Sequence, residues 1–123
     1  MKVINIPTPP YNCALHFIIE KDEEKLRRYI EKNYKCDFEC PRAKGEFFSI
    51  THKEKIHFFV WVKKNDWTID NQTTIVHELF HATHGILDWA GIKFNIEGDE
   101  AYSYFFESLF AYVWTKLQPK RKI

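Results

Sequence analysis

Residues 73–87 read TTIVHELFHATHGIL, and their spacing decides the fold. Apolar residues recur there with a helical period, and the pattern runs from about Asn71 to Ala90 before Gly91 stops it. Upstream the chain reads mainly as strands. Downstream it reads as a second long helix. The change of period in mid-chain predicts an α+β fold: a small antiparallel sheet with one early helix, then two long helices in sequence.

The same stretch carries HELFH at residues 77–81, an HExxH pattern. On a helix, residues four apart lie one turn on and on the same side, so His77 and His81 aim their rings at one point. Two neutral imidazoles so placed make half of a tetrahedral zinc site. Glu78 sits beside them, where its carboxylate can reach a water at the ion without being a ligand, the position of a general base. The chain's own histidine and glutamate frequencies give about 0.025 chance matches to this pattern. The plain alternative is two histidines on a packed helix beside a solvated Glu78.

A zinc site of this kind needs a third protein ligand. Glu100 is the best candidate. It lies in GDEAYSYF at the start of the next helix, and an antiparallel pair joined by a short loop brings that start near the end of the first helix. Glu97, Asp99 and Glu107 compete. The first two suit capping at the positive end of the helix. Glu107 shares the face of Glu100, two turns on. Tyr104 also shares that face, and a phenol there could stabilise an oxyanion. His84 follows His77 by seven residues, about 10 Å along the axis, too far for one ion to bind both on a straight helix. It either lines the cleft or hydrogen-bonds in support of the site, with Asp88 one turn on as its partner, or the two form a merely satisfied polar pair.

Outward from the motif, residues 91–98 form a loop, and about Asp99 to Leu117 form a helix ended before Pro119. That helix is apolar almost all round, which predicts that it is the central or most buried one. Its aromatic face also offers a homodimer contact. Before the motif, residues 46–53 and 55–63 read as a hairpin. Asp22 to Tyr34 reads as a helix with acidic residues in its first turn and Leu26, Tyr29 and Ile30 as its stripe. Residues 13–20 read as a strand, and residues 5–12, with three of the five prolines, as extended chain. One edge of the sheet, a strand from 46–63, is expected alongside the helix of His77, where an extended peptide could add as another strand. The alternative is an edge simply exposed or covered by the N-terminal segment.

With 123 residues the chain fits one domain over 1–123. Aromatic residues make up 17%, enough large rings to build a core in so short a chain. The net charge of +1 gives no nucleic-acid footprint, and the basic end PKRKI is too short to change that. No apolar run approaches the roughly 18 residues of a membrane span. Three cysteines, Cys13, Cys36 and Cys40, cannot all pair, and no secretory leader is visible, so reduced thiols and a cytoplasmic setting are expected. Cys36 and Cys40 have a spacing loosely compatible with zinc, but no second pair matches them.

HELFH at 77–81 together with DEAY at 99–102 resembles the zincin metallopeptidases, and within them the gluzincins. The order of elements is similar to the minimal gluzincins, to ImmA/IrrE-type regulatory peptidases and to small zincin-like proteins of phages and prophages. The likeness covers 46–117 loosely and 77–104 more closely. It implies a zinc-dependent peptidase with His77, His81 and Glu100 as ligands and Glu78 as base, acting on a peptide or protein. Gly85 and Leu87 replace the metzincin continuation, and the NExxSD string of larger gluzincins is absent. Two other classes stay open. One is a zincin-fold protein that binds metal but serves as a regulatory or interaction module. The other is a metal-free domain whose aromatic helix forms an oligomer interface.

Overall fold

The computed structural model describes residues 1–119; residues 120–123, most of the basic end, lie outside the described residues. Four strands and three helices follow in the order β1 (Lys2–Ile6), β2 (Ala14–Ile19), α1 (Glu23–Tyr34), β3 (Gly45–His52), β4 (Lys55–Val62), α2 (Ile69–Trp89) and α3 (Asp99–Leu117). A short 3-10 turn, Ile96–Gly98, precedes α3.

The sheet order is β1-β2-β4-β3. β1 pairs antiparallel with β2 and β3 antiparallel with β4, but β2 and β4 run parallel, from Ala14 opposite His57 to Ile19 opposite Val62. The sheet is therefore mixed, and the expected antiparallel sheet is corrected. The cause is the path between them: β3 starts at the end of the sheet where β2 stopped, since Gly45 and Ile19 both lie opposite Val62, and β3 carries the chain back to the end where β2 began. The β3–β4 hairpin then places its second strand, β4, in the interior.

That placement explains the composition of β4. Phe58, Phe59, Val60, Trp61 and Val62 are all buried, because both faces of an interior strand are covered. On one face Ile18, Phe59 and Trp61 meet Leu26 and Ile30 of α1. On the other, Leu15, Phe17, Phe58 and Val60 meet α2 and α3. The arrangement is a sheet between one helix and two. Asp22 caps α1 by accepting from the backbone N–H groups of Glu24 and Lys25. The Trp61 indole N–H donates to the Glu20 carbonyl at 2.9 Å and ties the interior strand to the chain entering α1.

The N-terminal segment differs from expectation. Residues 2–6 form a strand, and the proline-containing stretch after them turns, with Tyr11 N–H donating to the Thr8 carbonyl at 2.8 Å. Helix α2 begins two residues earlier than the periodicity suggests. Thr68 caps it, and the buried Asn71 side chain donates to Lys64 O at 2.7 Å and accepts from Trp67 N–H at 3.0 Å. At its other end Gly91 takes φ +84°, and Ile92 N–H reaches back to Leu87 O at 2.8 Å, a glycine-dependent C-cap.

Helix α3 has the expected bounds but is not the most buried helix. Its buried residues are Tyr102, Phe105, Leu109, Val113 and Leu117, a single stripe, whereas α2 buries eight residues. Aromatic residues off the stripe cover one another on its shoulder, as Phe110 does with Trp114 at a ring separation of 4.0 Å. Among the described residues no helix is long and apolar enough to cross a membrane. The three cysteines are unpaired.

Candidate metal centre

Helix α2 packs its apolar stripe on the sheet, and a polar stripe beside it faces the edge strand β3. Asp70, Thr73, Thr74, His77, Glu78 and His81 lie along that polar side and line one wall of a cleft of about 570 Å³. Ala43, Lys44, Gly45, Glu46 and Phe47, the start of the edge strand β3 and the chain entering it, line the other. The strand approaches closely because Gly45 has no side chain. A Cβ there would lie 2.9 Å from the Trp61 carbonyl oxygen and 3.2 Å from Glu78 Cγ. Gly85 does the same further along α2, where a Cβ would lie 2.5 Å from the Phe47 ring. An ion pair between Lys44 Nζ and Asp70 Oδ1, at 2.7 Å, spans the rim.

Within this cleft His77, Glu78 and His81 offer one donor atom each, all within 4.8 Å of one another. The Nε2 atoms of His77 and His81 are 3.1 Å apart, with ring centroids at 4.6 Å and planes at 81°. A second histidine pair supplies the contrast. His16 Nε2 and His57 Nδ1 are 3.0 Å apart, yet their centroids are 5.3 Å apart and their planes differ by 18°. That pair is extended end to end, the shape of a hydrogen bond between two imidazoles. The pair on α2 has nearly the same nitrogen spacing, but its centroids are nearer and its planes close to perpendicular, so it lacks that end-to-end shape. Neutral imidazole nitrogens with a carboxylate alongside suit a divalent ion of borderline softness.

Glu78 is only 5% exposed, and its Oε1 lies 3.6 Å from His77 Nε2. Burial pushes its carboxyl above the ordinary value. His77 pulls it down, the Glu46 carboxylate pushes it up and the Phe47 backbone N–H favours the charged form. That N–H is turned outward. Lys63 N–H donates to Lys44 O, so even-numbered residues of β3 face β4 and odd-numbered ones face away from it.

The structure does not bring Glu100 to this group. It lies exposed in the first turn of α3, about 200° round the helix from Tyr102, which faces α2. Glu97, Asp99 and Glu107 are also exposed, and none joins a group of three ligand-type residues among those described. Tyr104 is 66% exposed and lines a separate hollow with Pro9, Pro10 and Tyr11, so it does not meet the histidines. His84 bonds not to Asp88 but to Tyr102, whose hydroxyl lies 3.2 Å from His84 Nδ1. Cys36 and Cys40 belong to no ligand group; they pack beside the α1 face, where burial raises both thiols. The cleft residues Asp70, Thr73 and Thr74 were not singled out in sequence, although their helical spacing to His77 was a signal that could have found them. Those of β3 carried no such signal, because only the strand order places them there.

A comparison with protein-family models, with curated proteins and with solved structures finds no match to this chain.

Proposed function

We propose that the protein is a zinc-dependent peptidase of the zincin kind, hydrolysing a peptide bond in a peptide or protein. The observation that carries this reading is the convergence of His77 and His81 beside a buried Glu78, in a cleft whose far wall is the free edge of a sheet. His77 and His81 would hold the ion. When bound, a divalent ion there supplies Lewis acidity and makes water more acidic. Glu78 accepts the proton of the attacking water, and its burial makes it a stronger base than a solvated carboxylate. The outward N–H and C=O groups of Ser49, with the C=O of Phe47, can pair with an extended peptide and align its carbonyl beside Glu78. The unpaired cysteines accord with a cytoplasmic setting.

Glu100 remains the third ligand of the gluzincin version of this reading, without structural support. A second reading draws on that same point. With Glu100 and Tyr104 directed elsewhere, the protein fits a metal-binding regulatory or interaction module. Glu78→Gln separates the two. It keeps the shape of the side chain and removes the proton acceptor. Metal content should hold while turnover of a peptide library falls by at least about 10²-fold. Equal turnover by the variant and the parent would overturn Glu78 as base, and no turnover by the zinc-loaded parent would favour the second reading.

A further inference from the structure

On the side of the histidine pair away from β3, the surface changes character. Phe80 and Phe94 are 48% and 60% exposed, and their rings are 6.4 Å apart. His84 is exposed beside them, 6.1 Å from the Phe94 ring. It lies three residues after His81, about one turn along and rotated toward α3. Its Nδ1 lies 3.2 Å from the hydroxyl of Tyr102, which is itself 5% exposed. Burial raises the Tyr102 phenol, so it keeps its proton. Among the described residues that hydroxyl has no other hydrogen-bond partner. Its O–H can donate to Nδ1. In that arrangement the proton of a neutral His84 is on Nε2.

We propose that His84, held by Tyr102 with its N–H on Nε2, donates to a backbone carbonyl of a bound peptide whose neighbouring apolar side chain lies on Phe80 and Phe94. An N–H donor beside two exposed phenyl rings complements a peptide unit, which offers an acceptor oxygen and a side chain at adjacent positions. The shelf is continuous with the candidate centre through Phe80, whose ring is 6.5 Å from that of His81. The inference rests on the reading that a peptide occupies this cleft. It makes His84 a substrate-positioning residue.

The test uses the full chain carrying Glu78→Gln, so that no turnover is needed. Nitrogen-15 shifts of the His84 ring report its tautomer, and an Nδ1–H form overturns the proposal. A blocked tripeptide with a central phenylalanine is titrated against its all-glycine counterpart and followed by backbone amide shifts. The phenylalanine peptide should bind more tightly and perturb residues 80–106. His84→Ala should weaken it about fivefold, the worth of one neutral hydrogen bond. His84→Gln, which offers an N–H at similar reach, should restore it. Phe94→Ala should remove the preference for phenylalanine. Unchanged affinity in His84→Ala, or shifts confined elsewhere, overturns the assignment. If these results hold while the zinc-loaded parent hydrolyses nothing, the hydrolytic reading fails and His84 stands as a peptide-binding residue.

Discussion

Acidification should weaken this protein through two histidines far from the cleft. His16 on β2 has its Nδ1 2.9 Å from Asn5 Oδ1 on β1 and its Nε2 3.0 Å from His57 Nδ1 on β4. This chain of bonds is satisfied by two neutral rings, His16 donating from Nδ1 to Asn5 and accepting at Nε2 from His57. The His16 pKa is lowered to about 4, by burial first and then by the charges of His57 and Lys55. His57 is lowered too, again mainly by burial. A histidine with a lower pKa folded than unfolded binds fewer protons in the native state. Its contribution is full at neutral pH and is lost as pH falls from the unfolded value of 6.5 toward about 4. A drop of about 2.5 units at 1.36 kcal/mol per unit sets a ceiling of about 3.4 kcal/mol. The ring is partly exposed and solvent screens it, so we expect about 1–2 kcal/mol. For a chain of this size that is about 4–8 °C in Tm. Urea unfolding followed by tryptophan fluorescence, from about pH 7 to about pH 4.5, measures it against the double variant His16→Gln/His57→Gln. The variant should lose less stability over that range. Parallel curves for the two proteins would refute the reasoning.

Three further outcomes follow from the cleft. His81→Ala should abolish zinc binding while the fold survives, since the His81 ring is exposed; elemental analysis showing full zinc in the variant would sink the centre. Gly45→Ala should lower stability by about 1–3 kcal/mol, the usual cost of overpacking. Its Cβ would press on Trp61 O at 2.9 Å, Thr74 Cγ2 at 3.1 Å and Glu78 Cγ at 3.2 Å, so an unchanged urea midpoint would contradict the close approach of β3 to α2. Ser49→Pro removes an outward N–H from the exposed edge, a position where proline is tolerated. It should raise KM for peptides with zinc content intact, and an unaltered KM would rule out strand addition at this edge.

Much of the fold was legible locally. Asp22 and Gly91 were read as helix ends from local chemistry, whereas the Thr68 cap went unread and the start of α2 was placed two residues late. The motif helix was legible too, since HELFH and the apolar period around it depend only on helical spacing. What sequence could not supply was pairing. The parallel register of Ala14 with His57 joins residues 43 positions apart, and nothing in either strand names its partner. The same limit hid the edge strand's place in the cleft. The burial of α3 was misjudged because aromatic residues all round a helix can shield one another, as Phe110 and Trp114 do, instead of a core. Glu100 was inferred from helix order, but its rotation about α3 is set by which residues α2 claims. Tyr102 and Phe105 were claimed, and Glu100 was left facing outward.

The division of labour along the chain has a consequence for genetics. Every residue lining the cleft falls between 43 and 81, and His84 and Tyr102 lie beyond it. The first 42 residues supply β1, β2 and α1, including the fully buried Leu15, Phe17, Ile18, Leu26 and Ile30, and no wall of the cleft. A harmful change there alters how many folded molecules a cell holds and leaves each survivor chemically competent. If the proposed centre acts as inferred, a harmful change at the exposed His77 or His81 would leave abundance alone and disable every copy. Measuring protein level alongside phenotype would therefore find only abundance-type alleles before residue 43 and both types after it, where core residues such as Val60 and Leu109 alternate with the cleft.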